Sequence, residues 1–141
     1  MNERPDIMIE IRQWVAKAES DLRTAEYVLT MEKDCPTDAV CFHCQQCAEK
    51  YLKALLLSRS IDFPRTHDLV LLFNLAARHC GLSLYLIEVQ PLNRYSVEAR
   101  YPGDWEPIDR QEAIDAANMA RLLRETVRSL LPSDALQAGE A

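Results

Sequence analysis

Three glycines among 141 residues leave little backbone for tight hairpins, and with Ala, Leu, Glu and Arg abundant the composition favours helix over sheet. No apolar run approaches the ~20 residues that a bilayer-spanning helix needs, and the opening Met1 to Asp6 lacks a signal peptide's basic and apolar regions. The expected location is therefore cytoplasmic, with no membrane partner. There is also no block of like charge: the net charge is −6, with acids and bases mixed in both halves, so no electrostatic stripe for duplex DNA exists. Five cysteines is an odd number, and three lie within one predicted helix, which suits reduced thiols better than a disulfide framework.

What is present is helical periodicity. The stretch from Asp38 to Leu57 places Val40, Cys41, Cys44, Cys47, Ala48, Tyr51, Leu52, Leu55 and Leu56 on one broad arc, wider than a surface helix needs. His43, Gln46, Lys50 and Lys53 form a polar ridge opposite, interrupted by Phe42 and Leu57. This reads as a central helix covered on one side by its own domain and on the other by a second surface.

Ahead of it, Met8, Ile11, Val15, Ala18, Leu22, Ala25 and Leu29 mark a long first helix starting near Asp6, with Lys17, Glu19, Asp21, Arg23 and Glu26 as its solvated face. Pro36 ends a short polar connection, and Thr37 or Asp38 is positioned to cap the central helix. Thr66 is the expected N-cap of a third helix that Gly81 stops. A less regular helix over Leu82–Gln90 ends at Pro91, and Asp109-Arg110-Gln111-Glu112 opens the last helix as a capping box. Short loops make neighbours antiparallel. The expected fold is all-α, an antiparallel up-and-down bundle of four main helices plus a short irregular one, in a single domain over residues 1–131 with a frayed tail over 132–141.

The run Phe42-His43-Cys44-Gln45-Gln46-Cys47-Ala48-Glu49-Lys50-Tyr51-Leu52-Lys53-Ala54-Leu55-Leu56 resembles the second helix of the HEPN family. His67-Asp68-Leu69 resembles that family's entry into its third helix, and Arg100-Tyr101-Pro102 its segment before the last helix. The resemblance spans roughly residues 15 to 130. It implies a homodimer, a nucleotide or RNA as ligand, and a minimal nucleotidyltransferase as partner, including in toxin–antitoxin pairs. Ribonuclease members carry an Arg followed by a His after four to six intervening residues. No such pair exists here, since seven residues separate Arg59 from His67 and the last helix has no histidine. A binding protein, not an enzyme, is the leading expectation. The alternatives are a ribonuclease toxin built from His67, Arg65 and Arg100, or a protein-interaction module.

The candidate binding residues each carry two readings. His43, Gln46, Lys50 and Lys53 offer donors to a phosphate or an acidic partner, or else form an interhelical network. Arg65, His67 and Asp68 at a helix start suit an anion, but Thr66 and Asp68 also suit capping, and His67 can orient Arg100 or Tyr101. Arg94 with Tyr95, and Arg100 with Tyr101 and Trp105, can stack a base and hold its phosphate, or anchor a loop. Cys41-x-x-Cys44-x-x-Cys47 is not read as a metal site: on one helix the outer pair lies about 9 Å apart along the axis and points roughly 120° apart. No metal or other cofactor is expected, and the thiols are assigned to core packing.

Overall fold

The computed structural model describes residues 5–96 and 106–137. It is an all-α antiparallel bundle of four main helices: α1 (Pro5–Leu29), α2 (Thr37–Ser58), α3 (Leu69–Cys80) and α4 (Arg110–Arg128). Shorter 3₁₀ turns occupy Leu86–Glu88, Gln90–Tyr95 and Ser133–Leu136. Among the described residues there is no strand, and no helix is long and apolar enough to cross a membrane.

The central helix is α2, which packs against α1, α3, α4 and the 3₁₀ segment Gln90–Tyr95. Its apolar arc is fully buried, from Val40 and Cys41 through Tyr51 and Leu52 to Leu56. Its ridge is largely enclosed too, with Gln46 and Lys53 9 % and 6 % exposed. The second surface expected to cover that side is therefore largely supplied by the same chain. From α1 come Ile11, Val15, Ala18, Leu22 and Ala25, and from α4 come Ala113, Ala117, Ala120, Leu123 and Val127, all buried at the predicted periodicity. The alanines let α4 approach α2 closely.

The helix ends differ from expectation in several places. Thr37 does not cap α2: its hydroxyl donates to the Ile108 carbonyl at 2.6 Å, tying α2 to the chain entering α4. Asp68, not Thr66, caps α3, its carboxylate accepting from the Val70 and Leu71 amides. Asp68 is favoured because its side chain can reach two free N–H groups of the first turn. Gly81 stops α3 as predicted, with φ +68° in the left-handed region. Asp109 caps α4 by accepting from the Glu112 amide, but Glu112 turns its own carboxylate to the Tyr95 hydroxyl, so only half of the capping box forms. Pro91 starts a 3₁₀ turn instead of ending a helix, because the first turn needs no proline N–H.

Residues 133–136 are not frayed. Ala135 is buried and Arg12 Nε donates to the Asp134 carbonyl at 2.8 Å, so the chain folds back onto α1. Two other arginines act similarly on helix C-termini, where carbonyls lack intrahelical partners. Arg110 donates to the Leu29 and Met31 carbonyls at the end of α1, and Arg59 to the Leu130 carbonyl after α4.

Candidate functional site

Polar chemistry in the bundle gathers around three carboxylates. Glu49, on α2, is 2 % exposed and accepts from Lys53 Nζ at 2.8 Å, from His67 Nδ1 at 3.0 Å and from Gln45 Nε2 at 3.2 Å. Gln46 Nε2 donates to Gln45 Oε1 at 2.8 Å and reaches Glu49 at 3.4 Å. Lys53 also lies 5.3 Å from the centre of the Trp14 ring, a cation–π contact. A charge this deeply buried is tolerable because each oxygen receives donors. The half-exposed His67 sits at the mouth of this cluster, anchored through one ring nitrogen.

Asp21, on α1, forms the second cluster with His43 Nδ1 at 2.8 Å and Lys50 Nζ at 2.6 Å. The ridge of the central helix is thus divided between two acids: His43 and Lys50 go to Asp21, while Gln46 and Lys53 go to Glu49. The Asp21 contacts join α2 to α1, whereas Gln46 and Lys53 meet Glu49 within α2 itself. The lysine charges are already engaged by protein carboxylates, which lowers what they can offer a phosphate.

The third cluster joins α1 to α4 and to α2. Glu19 takes a forked pair of bonds from Arg124, at 2.6 and 3.2 Å, and also accepts from the Tyr51 hydroxyl, which receives Arg128 Nη1 at 3.1 Å. Burial raises the Glu19 carboxyl, but the Arg124 bonds, the Tyr51 hydroxyl and the nearby Arg128 charge outweigh it and hold the group below its ordinary range. Burial, with the adjacent Glu19, raises the Tyr51 hydroxyl. Beside this cluster a surface cavity of about 260 Å³ opens between α1 and α4. Its walls carry the Arg124–Glu19 and Arg121–Glu26 ion pairs, so positive charge there is matched by negative.

Glu19, Asp21 and Glu26 were expected on a solvated face and instead each bind a neighbouring helix. Period alone separates buried from exposed sides, whereas these positions flank the stripe and meet α2 or α4. The basic residues that recur on one side of α4, Arg121, Arg124 and Arg128, and of α2, His43 and Lys50, were the available signal.

At the start of α3 the free N–H groups expected to favour an anion are satisfied from within. Asp68 takes the Val70 and Leu71 amides, Asn93 Oδ1 takes the Leu69 amide at 2.8 Å, and Thr66 Oγ1 takes the Asp68 amide at 3.0 Å. Arg65 just ahead is exposed, and among the described residues its side chain has no hydrogen bond or ion pair. Arg94 is half exposed, lies 5.5 Å from the Tyr95 ring centre, and pairs with Glu112 at 3.4 Å. Tyr95 is 3 % exposed, so it anchors the 3₁₀ segment to the core and offers no open face to a base. Arg100, Tyr101 and Trp105 lie outside the described residues.

Cys41, Cys44 and Cys47 are fully buried in the core. Burial pushes the Cys44 thiol up to about 12 and raises Cys47 well above its ordinary value. Among the described residues no group of three or more His, Cys, Asp or Glu is arranged to hold a metal ion.

No curated protein and no solved structure matches the chain. The family comparison does give a match, to the HEPN domain over residues 11–130, which takes in α1 from residue 11 onward, the whole of α2, α3 and α4, and both histidine–carboxylate clusters. The chain belongs to the HEPN family.

Proposed function

We infer that this HEPN protein binds and does not cut: it forms a homodimer and holds the phosphate of a nucleotide or short RNA near the start of α3. The observation that carries the reading is Arg65, an exposed guanidinium with no internal partner among the described residues, two positions from an imidazole that Glu49 holds in place. A planar guanidinium can take two phosphate oxygens at once, which the engaged Lys50 and Lys53 cannot. The missing Arg–His spacing of the ribonuclease members supports binding over cleavage. Dimerisation does not rest on α2, which is enclosed, but on apolar side chains exposed elsewhere, Ile9 and Tyr27 among them. The minimal nucleotidyltransferase as a separately encoded partner, in a toxin–antitoxin type of pair, comes from family resemblance.

One contact favours the ribonuclease alternative. A buried carboxylate on an imidazole nitrogen is how a general base is oriented, and Glu49 does this to His67.

The test is a binding series with mononucleotides and short single-stranded RNAs at two salt concentrations. Arg65→Ala is expected to weaken binding by about tenfold and reduce the salt dependence, while Lys50→Ala changes it less. Equal losses in both variants, or none in Arg65→Ala, would remove the proposed site. RNA cleavage with a chelator present, abolished by His67→Ala, would replace binding with catalysis.

A further inference from the structure

Between α1 and α4 the ion pairs are arranged so that two charges of opposite sign are left over. On α1, Arg23 follows Glu19 by four residues and precedes Glu26 by three, the spacing at which a helix pairs its own charges. Both carboxylates are instead drawn across to α4, Glu19 to Arg124 at 2.6 Å and Glu26 to Arg121 at 2.7 Å. Glu125 stands in the corresponding position on α4, four residues after Arg121 and three before Arg128. Those arginines are spent as well, Arg121 on Glu26 and Arg128 on the Tyr51 hydroxyl at 3.1 Å. Among the described residues the side chains of Arg23 and Glu125 carry no ion pair or hydrogen bond, and both are exposed.

The two line the same cavity, Arg23 from α1 and Glu125 from α4. Its volume is about 260 Å³, and its walls are three guanidiniums, three carboxylates and Leu22. That balance works against a ligand of one charge. An anion drawn to Arg23 meets the carboxylates of Glu19, Glu26 and Glu125, and a cation drawn to Glu125 meets the guanidiniums. A dipolar molecule satisfies both leftover groups at once: its carboxylate accepts from the forked N–H edge of Arg23, and its ammonium donates to Glu125. Leu22, 6 % exposed, gives the methylenes between the two ends an apolar floor.

We propose that this cavity binds a small zwitterion of the amino-carboxylate class, held by Arg23 at its acid end and by Glu125 at its amine end. The site shares no residue with the phosphate site at the start of α3 and goes beyond that reading. A bound zwitterion bridges α1 and α4, the same two helices that the Glu19–Arg124 and Glu26–Arg121 pairs already join. Ordering two long exposed side chains keeps its affinity in the millimolar range.

Titration with γ-aminobutyrate, followed by NMR chemical shifts, tests the site, with butyrate and butylamine as analogues that each lack one charge. The wild type is expected to bind the zwitterion at millimolar concentrations and each analogue about tenfold more weakly. Arg23→Gln is expected to weaken the zwitterion about tenfold and leave butylamine unchanged, and Glu125→Gln to weaken it equally and leave butyrate unchanged. Both positions are exposed, and circular dichroism checks that each variant keeps its helicity. Arg65→Ala is expected to leave the titration unaltered; a loss there would move the ligand to the start of α3 and overturn this site. Absence of any shift at α1 and α4 residues overturns it too. So does a wild type that binds either analogue as tightly as the zwitterion, or a zwitterion affinity that either glutamine substitution leaves unchanged.

Discussion

Lys53 Nζ and Glu49 Oε2 meet at 2.8 Å one turn apart on α2, and both side chains are almost wholly buried. An ion pair in that position is held by its surroundings as much as by itself: His67, Gln45 and Gln46 fill the other acceptor sites of the carboxylate, and Trp14 lies against the ammonium.

Removing one partner should therefore cost far more than removing both. Glu49→Leu leaves a buried ammonium uncompensated and is expected to lower unfolding free energy by about 3–5 kcal/mol, measured by urea denaturation. Glu49→Leu with Lys53→Met is expected to recover a large part of that loss. If the double variant is as unstable as the sum of the singles, the two residues are not coupled through this contact.

The Glu19 cluster gives a pH dependence with a defined sign. Because the folded-state pKa lies below the ordinary value of 4.5, the unfolded chain binds more protons over the window between the two. The Glu19 contribution is fully present above about 4.5 and is lost as pH falls through the depressed value. Glu19→Gln should flatten the acid limb of a stability-against-pH curve relative to wild type. An acid limb unchanged in slope and position would show that Arg124 does not stabilise the charged carboxylate.

Thiol reactivity should separate the five cysteines. Cys35 is only partly buried, whereas Cys41, Cys44, Cys47 and Cys80 are buried, with Cys44, Cys47 and Cys80 raised in pKa by desolvation. At pH 8 a disulfide reagent is expected to titrate one thiol quickly in the native protein and all five after denaturation. Mass spectrometry of the labelled protein should place the fast site at Cys35; rapid labelling of the α2 cysteines would contradict the packing.

Gly81→Ala isolates a backbone effect. Beyond the adjoining residues of the chain no atom lies within 4 Å of where the new methyl would sit, so the expected cost, roughly 1–2 kcal/mol, comes from the left-handed conformation. Thermal unfolding measures it. A neutral result would mean the end of α3 relaxes to another conformation.

Much of this bundle was legible from spacing. The apolar stripes of α1, α2 and α4 recur at helical period, and Gly81 and Asp109 mark the end of α3 and the start of α4 by ordinary capping chemistry. The polar clusters were harder. Glu19 and Asp21 are two residues apart on one helix, yet one turns to Arg124 on α4 and the other to His43 and Lys50 on α2. Periodicity tells which side a residue occupies but not which helix stands there. Likewise Thr66 and Asp68 are both good caps, and the choice depended on which reached the free amides while Asn93 held another from a distant segment.

The arginines that reach helix ends also bear on how the fold opens. Arg110, the first residue of α4, holds the last carbonyls of α1, so the end of one helix and the beginning of another share a fastening. Hydrogen exchange at those two ends should consequently occur as one event, although about eighty residues of chain lie between them.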